Sequence, residues 1–497
     1  MKKIISKYNK VSFILVLSTT ICNVLALFYN YMYKFVIDAI TNLDKIKVWK
    51  YFWILILIQL FTNVFTLLTY DYYLKLFQLK VKMDLKNTIF KKLLSFDFKL
   101  FKRYEIGKLS TMIIEDVAIS AEYVSLYYFM IVGNTIRFII TYVMLFSLDK
   151  LVGLIVLASI PLYFLSTHFS LKYIRRFSKE ERENTDRLND NFLSALNAFK
   201  TIKANRIEER MTMLFNKSTD SLYEKSDHLL RWNAIFLFIR NFLTSFLPLM
   251  VVAVAIVRIF SGKMTVGTIF SLMGFCDAVY IPLAEIMYFK SLREKAKPVN
   301  DRVLEVIDRE NEQRQKKVIF KQGENYIKVK NLSYEINGRK ILENINLEID
   351  KNGLYLIKGD NGRGKTTFLN ILSGILDFDK GEVIISTKNK ESISYMIQEN
   401  EVFNASRKSN VELFKDGNFN TKKEYFSIGQ ARLMVFDRML FRDSDIYLID
   451  EPFENLDYLK RQKVLDKIVE LSKDHIVIMV NHNMYYLENS VYNFLDV

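Results

Sequence analysis

The sequence predicts a bundle of six membrane-spanning α-helices followed by an α/β domain, and three observations support this fold class. The chain has 497 residues, which is enough for two or more domains. Its N-terminal part contains apolar runs of membrane length. Its C-terminal part alternates short apolar runs with helical patterns, as in a sheet covered by helices. We therefore predict a membrane domain over 1–300, a linker over 301–324 and an α/β domain over 325–497.

Six apolar runs are each long enough to cross a bilayer as a helix. They lie near 12–37, 48–70, 125–148, 150–172, 233–257 and 267–290. The first run is too long for a cleavable signal peptide, so we expect it to stay in the membrane. Short turns join the spans in pairs on one side, whereas the connections over 71–124 and 173–232 on the other side are long. Regularly spaced apolar residues in these connections predict helices that continue the spans beyond the membrane.

The distribution of charge predicts the orientation of the chain. The net charge is +15, and a basic balance raises the question of nucleic-acid binding. The positive residues, however, are concentrated in the two long connections, whereas the short turns carry few. This positive-inside pattern predicts a multi-pass protein of the cell membrane, with its N-terminus and α/β domain in the cytoplasm and no nucleic-acid partner. Cys22 and Cys276 lie in apolar runs, so neither a disulfide nor a zinc site is predicted.

A glycine-rich loop predicts nucleotide binding. Residues 359–367 read GDNGRGKTT and fit the template G-x-x-x-x-G-K-[ST], between a strand-like run and a helix-like run. Glycines let backbone N–H groups approach phosphate oxygens, Lys365 is expected to reach the β- and γ-phosphates, and Thr366 to ligate Mg²⁺. The predicted nucleotide-binding residues of this loop are Gly359, Asp360, Asn361, Gly362, Arg363, Gly364, Lys365, Thr366 and Thr367.

Two later apolar runs each end in residues suited to phosphate chemistry. The run over 446–449 is followed by Asp450 and Glu451. Asp450 is expected to hold Mg²⁺, and Glu451 to polarise the water that attacks the γ-phosphate. The run over 476–480 precedes His482, which is predicted to contact the γ-phosphate and the attacking water. An ordinary strand-end histidine is the alternative for this residue.

With the six spans, these motifs resemble the ATP-binding cassette (ABC) superfamily, specifically its exporter half-transporters of the type IV arrangement, in which six spans precede one ATPase domain. The most specific mark is FSIGQ over 426–430, which looks like the family signature LSGGQ. The resemblance implies that Ser427, Gly429 and Gln430 complete the ATP site of the opposite subunit. The expected partner is thus an identical chain or a related half-transporter. Ile428 replaces a signature glycine, which leaves open whether this site is weakened.

Further assignments come from the same resemblance. Gln398 matches the glutamine that senses nucleotide, and we expect it to act in catalysis and to ligate Mg²⁺. Tyr334 matches the aromatic residue that stacks on adenine, with simple packing in a strand as the alternative. Asp457 corresponds to the loop that crosses the dimer interface. The long connections correspond to cytosolic coupling loops, and we expect contacts with the ATPase domain near 115–122 and 204–210.

Three ionisable residues lie inside predicted spans: Arg137, Asp277 and Glu285. Charges at such depth are costly and tend to face a cavity or one another. One interpretation is a polar translocation path with an acidic lining, because Asp277 and Glu285 are predicted to lie on nearly the same helical face. The alternative is a structural pair of Arg137 and Asp277.

The predicted function is ATP-driven export by a dimer that works by alternating access, with ATP and Mg²⁺ as cofactors. The outward direction follows from the resemblance. The expected cargo is a peptide or a hydrophobic drug-like small molecule, with lipid next. The alternative is an ATP-gated membrane regulator or channel that does not pump.

Overall fold

The computed structural model describes residues 2–310, 317–336, 338–358, 362–388, 392–413, 415, 424–481 and 493–496. The chain divides into two compact units. The first contains Met1–Leu94 and Ile106–Arg309, and the second contains Ser95–Glu105 and Glu310–Val497.

Six helical stretches of the described chain are long and apolar enough to cross a membrane, which confirms the predicted number of spans. They are Asn9–Thr41, Lys45–Leu94, Ile106–Leu148, Lys150–Thr167, Glu208–Phe260 and Val266–Asp308. The α-helices up to residue 308 are α1 (Lys2–Lys7), α2 (Asn9–Thr41), α3 (Lys45–Thr66), α4 (Lys75–Leu94), α5 (Phe98–Phe101), α6 (Ile106–Thr111), α7 (Val117–Tyr128), α8 (Asn134–Leu148), α9 (Lys150–Asn197), α10 (Phe199–Asn205), α11 (Glu208–Phe260) and α12 (Val266–Asp308). Within the described residues, the second and third spans are interrupted by π-helical segments at Leu67–Leu74, Met112–Asp116 and Phe129–Gly133.

Several helices of the first unit are much longer than a membrane is thick. Helix α9 has 48 residues and α11 has 53. At 1.5 Å per residue, α9 is about 70 Å long, whereas the hydrocarbon core of a bilayer is about 30 Å. The predicted continuation of the spans as helices is therefore confirmed. These helices accept internal prolines at Pro161 and Pro248, as membrane helices often do.

Helix α12 is central to the first unit, because it packs against α2 and α8 and its middle is buried. Its N-terminus is fastened to α2 by Asp38. Asp38 Oδ1 accepts a hydrogen bond from the Gly267 N–H at 2.9 Å, and Oδ2 accepts one from Thr265 Oγ1 at 2.9 Å. A β-carbon at position 267 would lie 2.2 Å from the Lys34 carbonyl oxygen, so this close approach of α2 and α12 requires glycine.

Two other buried carboxylates fix helix positions in the first unit. Asp149 begins α9, where its Oδ1 accepts hydrogen bonds from two backbone N–H groups of the first turn and its Oδ2 lies 3.4 Å from Arg258 Nη1. Asp116 accepts hydrogen bonds from Arg302 Nε at 2.9 Å and Nη2 at 2.8 Å. This bidentate ion pair connects the π-helical segment before α7 to the distal part of α12.

The described part of the second unit contains two sheets and confirms the predicted α/β fold. Its strands are β1 (Ile319–Gln322), β2 (Tyr326–Ile336), β3 (Arg339–Ile349), β4 (Gly353–Lys358), β5 (Lys380–Thr387), β6 (Ile393–Met396), β7 (Ile446–Asp450), β8 (Ile476–Val480) and β9 (Asn493–Asp496). Its remaining helices are α13 (Lys365–Leu372), α14 (Arg407–Val411), α15 (Ile428–Phe441) and α16 (Tyr458–Leu471). One sheet has the order β1-β5-β2-β3, and the other, entirely parallel, has the order β6-β7-β8-β4-β9.

The parallel sheet lies between two apolar cores and brings the functional strand ends together. Alternate side chains of β4 point to a core shared with α13 and to a core shared with α15 and α16. Strands β7 and β8 are buried along their whole length. Val480 pairs with Asp450 on one side and with Ile357 on the other. The carboxyl ends of β7, β8 and β4 are therefore neighbours at one edge of the sheet.

Ser95–Glu105, from the first long connection, belongs to the second unit. Helix α5 in this segment begins after Asp97, whose Oδ1 accepts a hydrogen bond from the Leu100 N–H at 2.7 Å. Leu100 is buried, and the segment forms a groove with Ile375 and the two residues after it. A short capped helix thus supplies the contact between this connection and the ATPase fold.

The contact predicted near 115–122 stays a prediction, and those residues belong to the first unit. The helical periodicity of the connection does not show where the chain turns. The turn is set by Asp97 and the short helix that it begins. The contact predicted near 204–210 stays a prediction.

Candidate functional site

The phosphate-binding loop leads into α13 in the way the motif predicts. Its first residues, 359–361, lie outside the described residues. Gly362 and Gly364 have φ angles of +81° and +90°. A β-carbon at Gly364 would lie 2.9 Å from the Ile341 carbonyl oxygen, so glycine alone fits between the loop and β3. Lys365 then begins α13 as a buried residue, and the helix N-terminus provides a favourable position for phosphate.

The other predicted residues of this loop follow the same path. Arg363 is exposed between the two glycines, whereas Thr366 and Thr367 are half-buried in the first turn of α13. The first turn of a helix leaves backbone N–H groups without helical acceptors. The loop therefore combines the backbone N–H groups of a helix N-terminus with basic side chains.

Asp450 forms the part of the site best suited to a metal ion. Its carboxylate is buried, and neither oxygen accepts a hydrogen bond from the described residues. Burial raises the pKa of Asp450, and this effect exceeds the opposite effect of the nearby Thr366 hydroxyl. A buried carboxylate beside a threonine hydroxyl is a set of oxygen ligands that suits Mg²⁺. These two residues fit the predicted metal site.

Glu451 follows in an unusual backbone conformation. Its φ angle is +50°, a left-handed region that costs a non-glycine residue about 1–2 kcal/mol. Its N–H donates a hydrogen bond to the Val480 carbonyl at 2.9 Å, and its own carbonyl accepts one from Arg432 Nη2 at 2.6 Å. The turn after β7 is therefore held in place from two sides. His482 lies outside the described residues, although β8, which precedes it, ends beside Asp450.

Arg432 is the functional candidate that motif reasoning missed. It lies on α15 and is fully buried. Its Nη1 donates hydrogen bonds to the carbonyl oxygens of Ile397 at 2.9 Å and Gln398 at 2.8 Å. Its Nη2 donates to the carbonyl oxygens of Asp450 at 2.5 Å and Glu451 at 2.6 Å. One guanidinium therefore connects the signature helix, the Gln398 segment and the end of β7.

The sequence contained one signal for this residue. Arg432 lies on the same helical face as Val435, Phe436 and Met439, which are buried. A charged residue inside an apolar stripe requires buried hydrogen-bond acceptors, but the sequence does not show which backbone groups supply them. Gln398 is half-buried, and the structure ties its backbone, through Arg432, to the turn at Glu451.

The signature segment begins α15 with a reciprocal cap. Ser427 Oγ accepts a hydrogen bond from the Gln430 N–H at 3.3 Å, and Gln430 Oε1 accepts one from the Ser427 N–H at 2.9 Å. A β-carbon at Gly429 would lie 3.0 Å from the Asn455 carbonyl oxygen. Ile428 is 64% exposed. The replacement of the first signature glycine therefore places an apolar side chain on the surface and leaves the helix start intact.

Asp457 is positioned as the cap of α16. Its Oδ1 accepts a hydrogen bond from the Lys460 N–H at 3.0 Å, and its Oδ2 lies 2.5 Å from Lys460 Nζ. These bonds hold the pKa of Asp457 below its usual value. Asn455, just before it, has a φ angle of +58°. The loop therefore turns tightly next to the signature helix.

The prediction that Tyr334 stacks on adenine is wrong. Tyr334 is 2% exposed and packs in the core of the domain, so its ring has no free face for a base. The packing alternative holds for this residue. Strand β2 has irregular pairing with β3 on both sides of Tyr334, so motif spacing does not show which side chain reaches the surface. Ile336, at the end of the same strand, is 43% exposed.

The three membrane charges are arranged differently from the prediction. Arg137 and Asp277 form no ion pair within the described residues, and Glu285 is the acidic residue near Arg137. Arg137 Nε and Glu285 Oε2 are buried and have no hydrogen-bond partner among the described residues. Asp277 is exposed. Eight residues rotate a helix by about 80° beyond two full turns, so the two acids face different surroundings. The predicted pair of Arg137 and Asp277 is therefore wrong.

We expect the Arg432→Met variant to lose at least about tenfold in ATP turnover, because four carbonyl oxygens lose a charged donor and the turn at Glu451 is released. The measurement is kcat for ATP hydrolysis by the purified chain, together with equilibrium binding of ATP. Binding should change less than kcat, since the phosphate-binding loop keeps its residues.

The control for this variant is Arg442→Met, which removes an exposed arginine at the end of the same helix. It should leave kcat near the wild-type value. Unchanged turnover in a stably folded Arg432→Met protein would contradict the positioning role.

We expect the metal-free Asp450→Asn variant to unfold at a higher temperature than the wild type at neutral pH. A carboxylate with a raised pKa in the folded state reduces stability while it is ionised. This cost is complete above the folded-state pKa and disappears below the unfolded-state value of about 3.9. The advantage of the variant should therefore shrink as the pH falls, and its stabilisation by added Mg²⁺ should be lost.

Thermal unfolding with and without Mg²⁺ across this pH range checks the expectation. Asp466→Asn, at an exposed position of α16, is the matched control and should behave as the wild type. Equal stabilisation of Asp450→Asn and wild type by Mg²⁺ would remove Asp450 from the metal site.

Comparisons with known proteins agree with this geometry. The family described as "ABC transporter transmembrane region" matches residues 12–281, and the family described as "ABC transporter" matches residues 342–454. A protein of Staphylococcus aureus (strain bovine RF122 / ET3-1), named for multidrug export as an ATP-binding/permease protein, is 22% identical over 446 residues. The match covers 82% of this chain and 77% of that protein. A protein of Staphylococcus aureus strain NCTC 8325 / PS 47, also named for multidrug export, has the same sequence identity to this chain and the same coverage.

A solved structure of a bacterial Atm1-family ABC exporter with ATP bound has the same fold. The TM-score is 0.75 at 15% sequence identity, and the match covers 100% of this chain and 94% of that chain. The membrane-region family alone covers more than half of the chain. The chain therefore belongs to the ABC transporter family, as an exporter half-transporter and transport ATPase.

Proposed function

We propose that two copies of this chain, or this chain and a related half-transporter, form a dimer that exports cargo by alternating access. ATP would bind at two sites shared between the subunits and close the dimer, and hydrolysis would reopen it. The proposed cargo is a peptide or a hydrophobic drug-like compound, with lipid next. The names of the relatives as multidrug exporters support this cargo class. The charge distribution supports a cell-membrane location, with the N-terminus and the ATPase domain in the cytoplasm.

The observation that carries the proposal is the buried Asp450 carboxylate, without a hydrogen-bond partner in the described chain, followed directly by Glu451. Mg²⁺ bound by Asp450 and Thr366 would neutralise negative charge on the phosphates. Glu451 would accept the proton of the attacking water. Lys365 would orient the β- and γ-phosphates at the start of α13. The proposed roles of Gln398 and His482 are to sense the γ-phosphate from neighbouring segments.

The surfaces near the signature and interface loops support the dimer. Tyr425 and Ile428 are exposed at the start of α15, and Tyr458 and Leu459 are exposed at the start of α16. Exposed apolar groups of this kind are typical of a surface that another chain covers. The proposed arrangement places Ser427, with Gly429 and Gln430 behind it, against the nucleotide of the opposite subunit. Asp457 lies in the loop proposed to cross between the subunits.

We expect Glu451→Gln to bind ATP while losing about 10²-fold or more in turnover, because the proton acceptor is replaced by a neutral amide. ATP-dependent accumulation of a fluorescent drug-like probe in inside-out vesicles should stop in the same variant. The measurements are nucleotide binding, kcat and probe accumulation in parallel.

Glu470→Gln is the control, since it makes the same change at an exposed position of α16. It should leave all three quantities unchanged. A channel or regulator would behave differently: probe equilibration would need ATP binding alone, and Glu451→Gln would hold the pathway open. Probe movement without accumulation would therefore contradict export.

We expect heterodimers of a Lys365→Ala chain and a Ser427→Ala chain to recover ATPase activity that both variant homodimers lack. In such a heterodimer, one site keeps both an intact phosphate-binding loop and an intact signature. Purification through two different tags isolates the heterodimer. If activity instead follows the summed activities of the two variants, the sites are not shared between chains.

A further inference from the structure

A cavity of about 250 Å³ lies within the first unit, between α9, α11 and α12. It is many times the volume of about 10–15 Å³ that a cavity needs to hold one water molecule. Arg137, Asp277 and Glu285, the charged residues predicted to line a cavity, are not among its lining residues. Its charged lining residue is Arg240, on α11.

Arg240 is a charged residue inside an otherwise uncharged, apolar run of membrane length. Between Trp232 and Val257 the sequence has no other Asp, Glu, Lys or Arg. Within the described residues, Arg240 forms neither a hydrogen bond nor an ion pair, and Tyr163 lines the same cavity. A cation in a membrane-length apolar run is costly and faces a polar or water-accessible space. The cavity is that space, and the five N–H donors of Arg240 are available to it.

The other polar groups do not neutralise this cation. The described lining of the cavity contains no carboxylate. Tyr288 lines it, but the Tyr288 hydroxyl donates its hydrogen bond to Glu122 Oε1 at 2.7 Å. Ser166 and Thr167 donate their hydroxyl protons to the Tyr163 carbonyl at 2.9 Å and 2.8 Å. The cavity therefore has an excess of positive charge.

The remaining wall is apolar and aromatic. Phe236 and Leu237 on α11 and Ala284 and Met287 on α12 border the same space as Arg240. Asn233 lies about two helical turns before Arg240, at the predicted inner end of the span. A ligand that fits would place a negative group at Arg240 and an apolar body against these side chains.

We propose that this cavity binds an amphipathic organic anion, with Arg240 as the group that recognises its negative charge. This inference rests on the proposed function, for which it defines the charge class of the cargo. The same chemistry is shared by a soluble cargo and by an anionic membrane lipid. The two sources differ in whether the lipid composition controls binding.

The test compares two dyes that share a xanthene ring system, anionic carboxyfluorescein and cationic rhodamine 123. Fluorescence anisotropy would measure their binding to the full chain in nanodiscs of neutral phosphatidylcholine, without nucleotide. We expect the wild type to bind the anionic dye more tightly. Arg240→Gln should weaken that binding about tenfold or more, and Arg240→Lys should restore most of it. Arg231→Gln, an exposed position on the same helix, is the control and should have no effect.

A second variant, Ala284→Phe, fills the cavity without changing its charge and should weaken binding of the anionic dye even if Arg240→Gln does not fold. Nanodiscs that contain phosphatidylglycerol separate the two sources. If this lipid competes with the anionic dye, and native mass spectrometry shows that Arg240→Gln no longer retains the lipid, the site binds a lipid. If phosphatidylglycerol does not compete, the ligand is a soluble anion. Equal affinity of the wild type for both dyes, or unchanged binding of the anionic dye in Arg240→Gln, would overturn the inference. Basal ATPase activity is measured separately. Its loss would count against the proposed transport function, whereas the dye measurements test the ligand site alone.

Discussion

The arrangement of the ATPase site depends on one buried guanidinium. Arg432 donates to carbonyl oxygens in two segments that are distant in sequence, around 397–398 and 450–451. Backbone carbonyls at the ends of buried strands need donors, and a neutral side chain of the same length does not offer five N–H groups in one plane. The left-handed turn at Glu451 persists because neighbouring groups fix it. A rearrangement of the Gln398 segment would therefore act on Glu451 through a single side chain.

The membrane unit uses carboxylates in a comparable way, but at the ends of helices. Asp38 accepts a hydrogen bond from the first turn of α12, Asp149 caps the start of α9, and Asp116 binds the distal part of α12 through Arg302. Between these points the helices pack through apolar side chains, which in a lipid environment give little preference for one partner over another. The polar contacts therefore define how the long helices are aligned.

The sequence predicted the parts of the protein that depend on periodicity and on fixed motifs. The six spans, the α/β domain and the position of Asp450 at the end of a buried strand are all confirmed. The errors have a common physical origin, since they concern which way a side chain points. Tyr334 lies on a strand with irregular pairing, and Asp277 differs from Glu285 by a rotation of about 80°. Arg432 was missed because its acceptors are backbone groups, which a sequence does not distinguish.

The departure at Ile428 is best understood from the helix that it begins. The signature helix needs a cap at Ser427 and a glycine at 429, where the Asn455 carbonyl approaches. Position 428 has no such constraint, because its side chain points outward. An isoleucine there adds apolar surface at the place where the second subunit is proposed to bind, and it leaves the Ser427 and Gly429 backbone unchanged. The same residue that departs from the family motif therefore favours burial against a partner, so the altered signature is compatible with a working shared site.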